Sequence, residues 1–589
     1  MIFIFSKRCD RLYVKIGIGL LLVGGLFFSP VQAQQAVSPY DFPYGYPMPE
    51  YPVAGGSHPA MAGDYYDSKP DPQRELKRIG PYALRLIQTD SAREAVRYTD
   101  WYRQHYPNLL DGEMLFMRTV ALAQLGQLDE AAESMGKALA ETNIPPQQFI
   151  AGPRRLLAPL HDHPAFIKLR EDMKGTLVHG PMLGAMTDHS VNVWVRTVSE
   201  TPVRVVMSRS EEMSDPIVTE PVMSKADDDY TAEISVEGLQ PDTQYYYEVQ
   251  VGQEKHPIRA DHQQFRTYPK RDYPAAFQMV FGGCAGYVPH KERMWDTIRK
   301  FTPRAFLTLG DNVYIDDPES PDQARFHYYR RQSRPEFQRL VGSSPVYSIW
   351  DDHDFGMNDS WGGPREDLPY WKPMVWDIFT ENWVNPPYES GDRPGGWYDF
   401  TIADVQFIML DTRYYREDAG RFEGQGVENP SMLGPEQLAW LKETLTNSDA
   451  TFKVLVSSIP WHYDAKGQGD NKVDGWAGFP HEREKIFSWI DAHNLGGVLL
   501  LSSDRHRSDA WVTERENGYD LYEFGSGQFT NQHTHQVLDG ALFGYNEKPS
   551  FGVLNFDTEA EDPSVQYRIV DIDGFIHQEL TVKRSELEY

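Results

Sequence analysis

Six short, nearly continuous apolar segments mark the second half of the chain: Phe277–Phe281, Ala305–Leu309, Pro345–Trp350, Val405–Leu410, Phe452–Ser457 and Gly497–Leu501. Helical stretches such as Pro435–Thr446 and Glu482–His493 lie between them. Apolar strands alternating with helices predict a sheet covered on both faces, an α/β architecture. Each segment also ends in polar residues. In order these are Gly282-Gly283-Cys284, Gly310-Asp311-Asn312-Val313-Tyr314, Asp351-Asp352-His353-Asp354, Asp411-Thr412-Arg413, Pro460-Trp461-His462 and Ser503-Asp504-Arg505-His506. Ligands of open α/β sheets bind beyond the carboxyl ends of the strands, so this loading predicts one site on one rim.

Taken singly, these motifs have plainer readings. An Asp just after a strand is commonly a turn or helix-cap residue, and Gly310-Asp311 alone is that. His462 reads equally well as a surface histidine, and Cys284 as a buried core cysteine. The run Asp351-Asp352-His353-Asp354 is different, because three carboxylates around one histidine repel one another unless cations neutralise them. Asp504 and His506, two apart on extended chain, face one side and can grip one ion. Carboxylate, imidazole, phenol and thiol donors together suit a mixed metal site, with iron favoured by the Tyr–Cys pair and harder ions by the carboxylates. Paired cations stabilise both the attacking and the leaving oxygen of an in-line displacement, which points to phosphoester hydrolysis.

Charge narrows the function from the other side. With 57 basic and 86 acidic residues among 589, the net charge is -29, which disfavours DNA, RNA and anionic membranes as partners. A small phosphoester remains compatible, because bound cations reverse the local field. The N-terminus carries Lys7, Arg8, Arg11 and Lys15, then an apolar run from Ile16 to Phe28 and the sequence Val31-Gln32-Ala33. That pattern predicts a cleaved secretory signal over 1–33 rather than a membrane span, and hence a periplasmic or extracellular protein. Cleavage removes Cys9 and leaves Cys284 as the only thiol, so no internal disulfide is expected.

The remaining regions follow from changes of pattern. Residues 34–72 are rich in Pro and Tyr and read as a linker. Residues 73–175 have helical spacing on both sides of Gly126, and one stretch resembles a single tetratricopeptide unit, which cannot bury its own apolar face. Residues 176–270 alternate as strands do, and Leu239–Tyr247 resembles the tyrosine corner of a fibronectin- or immunoglobulin-like sandwich. Residues 271–589 form the catalytic domain.

The motifs Gly283-Cys284, GDNVYID at 310–316, WDDHDFGMND at 350–359, LDTRYYR at 410–416 and SDRH at 503–506 resemble, in that order, those of the alkaline phosphatase D family, a branch of the calcineurin-like metallophosphoesterases. The resemblance covers about 180–585 and leaves the helical segment outside. It implies a four-layer α/β/β/α catalytic domain and hydrolysis of phosphomonoesters or phosphodiesters outside the cytoplasm. It further implies that Cys284, Asp311 and Tyr314 hold iron, with Asp311 bridging to further ions that include calcium. Asp352, Asp504 and His506 complete the cluster. His353 then protonates the leaving oxygen or steadies the transition state, and Asn358 and Arg413 contact phosphate, Arg413 being alternatively a structural ion pair. Two positions depart from the family pattern: Ser503 stands where glycine is usual, and Gly283 where serine is usual. The competing reading from another class is a non-catalytic surface binding protein with a decayed metal domain. The survival of every ligand type argues against it. A sulfatase or lactonase on the same scaffold is a third.

Overall fold

The computed structural model describes residues 69–71, 75–252, 260, 263–420, 426–467 and 470–589. The expected signal segment and nearly all of the expected linker lie outside these residues. Among them, no helix is long and apolar enough to cross a membrane.

Helices come first: Leu76–Gln88, Ala92–His105, Asp111–Gln124 and Leu128–Glu141, followed by shorter ones to Asp172. Gly126, at φ 72°, makes the turn between the third and fourth, a conformation that suits glycine. The apolar faces of these helices do not close on themselves. Their core takes in Val288, Phe326 and Tyr329 from much later in the chain, with Phe116 and Phe326 stacked at 6.1 Å between centroids.

Two antiparallel sheets follow. One contains Leu177–Gly184, Ser190–Thr197 and Thr231–Glu237; the other is built on Pro202–Ser208 and Gln244–Val251. Alternating inward side chains such as Val193, Val195, Val205 and Val249 are buried in a shared core. At the expected corner, the Tyr245 hydroxyl accepts the backbone N–H of Gln240 at 3.0 Å.

The six apolar segments all form strands, but they divide between two sheets instead of forming one. In spatial order the first sheet runs Val346–Ile349, Phe306–Leu309, Ala276–Gly282, Ser550–Asp557, Ser564–Asp571, Ile576–Lys583. Its first three strands are mutually parallel and its last three antiparallel. The second sheet holds Val405–Met409, Phe452–Val456, Val498–Ser502 and Leu521–Gly525 as parallel neighbours, with Tyr398–Ile402 antiparallel at one edge. Rings from both sheets meet across the interface: Phe407 and Phe452 against Phe556, and Phe524 against Tyr567 at 4.7 Å. Sheet-on-sheet burial explains why these strands are apolar on both faces although helices cover only one.

The carboxyl ends of the two parallel sets converge. The Ser503 N–H donates to the Ser458 carbonyl at 3.1 Å, and Cys284 N–H to the Gly310 carbonyl at 3.2 Å. Across the sheets, Ser458 Oγ donates to Asp351 at 2.9 Å. Gly310, at φ 93°, is required here, because a Cβ would lie 2.5 Å from that of Asp351.

Candidate metal centre

At this convergence lies a polar cavity of about 310 Å³, walled by Asp311, Asp316, Asp352, His353, Asn358, Asp504 and His506 among others. Three groups of donor atoms each come within 4.8 Å of one another. Two share Asp311, namely Cys284, Asp311 and His506, and Asp311, Asp352 and His353; the third is Asp352, Asp359 and Asp474. The Asp311 Oδ2 accepts the Tyr314 hydroxyl at 2.8 Å, while its Oδ1 is buried with no hydrogen-bond partner among the described residues. An orphaned carboxylate oxygen costs free energy in a protein interior unless something absent from the polypeptide satisfies it. The donor set therefore fits a bound cation.

The backbone is bent to present these groups. Cys284, Asp311, Asp504 and His506 have φ values of 58°, 52°, 67° and 47°, in the left-handed region that non-glycine residues avoid. Such strain persists where surrounding structure over-determines it, and it concentrates at functional sites. His506 Nδ1–H donates to the His533 carbonyl at 2.9 Å, which leaves Nε2 as the free nitrogen.

Electrostatics agree with the geometry. Burial, followed by the neighbouring Asp352, Asp351 and Asp354 carboxylates, pushes the Asp311 carboxyl well above the usual range, although His353 pulls it down. Burial raises the Cys284 thiol as well, with Asp311 and Asp504 adding to it. Burial would lower His353, but Asp316, Asp352 and Asp311 outweigh that effect and raise it to about 10. Its Nδ1 is paired with Asp316.

The two departures from the family pattern turn out to be neighbours. A Cβ on Gly283 would lie 2.4 Å from Ser503 Oγ, and that Oγ is 3.8 Å from the Cys284 sulfur. Ser503 itself does not adopt a positive φ. The serine side chain fills the space that a side chain at 283 would use.

Among the expected phosphate contacts, Asn358 lines the cavity and Arg413 does not. Arg413 is fully buried behind it. Its Nε donates to Asp351 at 2.6 Å and its Nη1 to Asp474 at 2.9 Å and to the Ser360 carbonyl at 3.1 Å. Among the described residues these partners, with Nη2 also on Asp474 and Asp351, engage its donors, and of the two expectations for Arg413 the geometry fits the structural ion pair. Asp411 is likewise a turn organiser. It accepts the Trp350 indole N–H at 2.8 Å and the backbone N–H groups of Arg413 and Tyr414. Asp504 lines the cavity but stands apart from the three donor groups, paired with Lys466 at 2.7 Å. His462 borders a separate cleft and stacks on Trp511 at 4.6 Å.

Sequence reasoning missed several lining residues. Asp316 closed the GDNVYID motif without being weighed as a partner for His353. His533 and His535 follow the strand Leu521–Gly525, where an Asn-Gln-His-Thr-His run just beyond a strand end was a readable signal. Lys77 reaches the cavity from the first helix, and nothing local in the sequence marks it.

Solved structures place the fold among phosphatases. That of PhoD matches with a TM-score of 0.57 at 19% identity, covering 68% of this chain and 89% of that one. That of purple acid phosphatase PPD1 from yellow lupin (Lupinus luteus) seeds matches at 0.52 and 12% identity, covering 69% and 75%. The two-sheet core with its converging strand ends is thus a fold shared with these two structures. More particularly, the chain belongs to the PhoD-like phosphatase family, whose profile matches residues 279–589, and the family's N-terminal domain matches 165–269. Among curated relatives it is 24% identical over 368 residues to alkaline phosphatase D of Bacillus subtilis (strain 168), covering 55% of this chain. It is 23% identical over 251 residues to purple acid phosphatase 23 of Arabidopsis thaliana, covering 39%. The chain spans 60% and 48% of the lengths of these two relatives.

Proposed function

We propose that the protein is an exported metal-dependent phosphoester hydrolase whose signal segment is residues 1–33 and whose catalytic domain is residues 271–589. The helical module would be 73–175, the linker 34–72 and the sandwich 176–270. The observation that carries the chemistry is Asp311, shared by two donor groups and holding one buried, unpartnered oxygen. Cys284, Asp311, Tyr314 and His506 would hold iron. Asp352 and Asp504 would extend the site to further ions, with calcium favoured by their hard oxygens. Bound there, the ions would activate water and neutralise phosphoryl charge for in-line attack.

The protein's own groups supply the rest. Asp316 engages Nδ1 of His353, so Nε2 is the atom that carries a proton toward the leaving oxygen. The Asn358 amide, on the cavity wall and without a hydrogen bond among the described residues, is available to a phosphoryl oxygen. The substrate would be a small phosphoester.

The test is to purify the chain lacking residues 1–33, measure its metals and record the visible spectrum. About one iron per chain with a coloured band that bleaches in Tyr314→Phe supports the reading. A folded, metal-loaded chain that hydrolyses neither a phosphomonoester nor a phosphodiester would overturn it.

A further inference from the structure

The helix Leu76–Gln88 lies outside both family profiles, yet it supplies Lys77 to the cavity wall. The Lys77 Nζ sits 3.5 Å above the centroid of the Tyr314 ring. Of the other cationic residues of the cavity, Lys466 is paired with Asp474 and Asp504, His353 is paired with Asp316, and Arg505 lies 3.6 Å from Asp504 with its Nε unpartnered among the described residues. Among the described residues, Lys77 forms no ion pair, so of the two lysines that line the cavity it is the one whose charge is uncommitted there.

The placement of this lysine is built in. Its own carbonyl accepts Arg330 Nη2–H at 2.9 Å, and the Pro81 carbonyl one turn on accepts Gln323 Nε2–H at 3.0 Å. Arg85 pairs with Asp317 at 3.1 Å, Gln88 donates to Ser320 at 2.7 Å, and the Leu76 N–H donates to Gln532 at 2.7 Å. These anchors come from the catalytic region on both sides of the cavity, so the helix holds a fixed position over Tyr314. A side chain seated this way presents three N–H donors to a space of about 310 Å³ lined mostly by carboxylates and histidines.

We propose that Lys77 is a substrate-binding and specificity-determining residue: it contacts the non-bridging oxygens of a dianionic phosphoryl group and favours phosphomonoesters over phosphodiesters. A monoester offers one more negative oxygen than a diester, and an unpaired ammonium is worth most against that extra charge. The proposal rests on the phosphoester reading above. It also gives the helical segment a function, since the segment carries the lysine.

The test uses the full metal-loaded chain and its Lys77→Met variant, with equal thermal midpoints showing that both are folded. Calorimetric titration with inorganic phosphate is expected to show affinity weakened roughly ten- to thirtyfold in the variant. The KM for a phosphomonoester should rise by a similar factor, and kcat/KM for a phosphodiester should change less than about threefold. Lys77→Arg should restore most of the phosphate affinity. Unchanged phosphate affinity and an unchanged monoester-to-diester ratio would overturn the proposal. A shifted visible band with that ratio unchanged would overturn it too, because the lysine would then act only on Tyr314. If the metal-loaded wild type neither binds phosphate nor hydrolyses either ester, the phosphoesterase reading fails first and this proposal with it.

Discussion

Two clusters of buried charge lie at the strand ends, and one carboxylate of each, Asp474 and Asp311, behaves in the opposite way. In the rear cluster, Asp474 is matched by Arg413, Arg416 and Lys466, while Asp351 shares Arg413 and is raised to about 8 by burial. In the front cluster, Asp311 and Cys284 face each other with no guanidinium or ammonium ion-paired to them among the described residues. Burial penalises the Asp474 carboxylate, yet Arg413, Lys466 and Arg416 overcome this and hold it well below the usual range. Burial also penalises Asp311, and there its neighbours add to the penalty. The acidic residues in the two clusters follow the same kind of apolar strand. What separates a structural network from a binding site is whether the fold supplies the countercharge.

That comparison breaks most sharply at Asp311. Asp311→Asn should lower activity by on the order of a thousandfold and cut metal content, while leaving the thermal midpoint of the chelator-stripped chain unchanged or higher. Behind it, Arg413→Met should do the reverse. It leaves buried Asp351 and Asp474 short of a partner and should cost about 3–5 kcal/mol in denaturant unfolding. Metal content per folded chain should stay near the wild-type value. An arginine that bound phosphate would instead give a stable protein with a raised KM.

The Gly283–Ser503 pair sharpens the front cluster. Gly283→Ser forces a side chain against Ser503 Oγ beside the Cys284 sulfur and should weaken metal retention roughly tenfold, as outer-shell changes do. Adding Ser503→Gly should recover part of that loss, a coupling read from a double-mutant cycle of metal affinities.

The smallest effect is in the pH dependence of stability. In the metal-free chain the raised carboxyls bind protons more tightly folded than unfolded, with Asp354 pushed up to about 7 by burial against its backbone donors. Stability should therefore fall as pH rises from about 4, the unfolded carboxyl value, through about 7. Asp474, held low, has the opposite sign. Its contribution is present above about 4 and is lost only in stronger acid, as pH falls through its folded value. Scanning calorimetry with and without metal separates the two. A metal-free midpoint that does not change between pH 5 and 7 would remove the basis for the contrast.

Much of this was legible in the sequence, for identifiable reasons. Strands such as Phe452–Val456 and Val498–Ser502 are buried on both faces, so their apolar runs are nearly unbroken and their ends sharp. Of the strands from Ser550 to Lys583, Ile576–Lys583 was not legible because it exposes most of its side chains and carries a polar sequence. Division into two sheets could not be read from the apolar runs themselves, since a strand facing a second sheet has the same composition as one facing a helix; only the family resemblance implied it. Within the site, most cavity-lining residues named from sequence sit on strand-end motifs, although Asp316 in one of those motifs went unnoticed, and residues arriving from elsewhere were not found. Arg413 sits in the right motif and faces the wrong way. Lys77 sits in no motif, and only tertiary packing brings it to Tyr314.

The hydrogen bond from Leu76 to Gln532 joins positions 456 apart along the chain. Closing so long a loop costs entropy that local contacts do not offset, so such pairings form late in folding. The cavity wall is assembled from residues as far apart as Lys77 and His535, and a polypeptide that has not brought them together has no finished pocket. Appearance of phosphate binding during refolding would therefore time the completion of the whole molecule, and it would lag behind the recovery of helical signal.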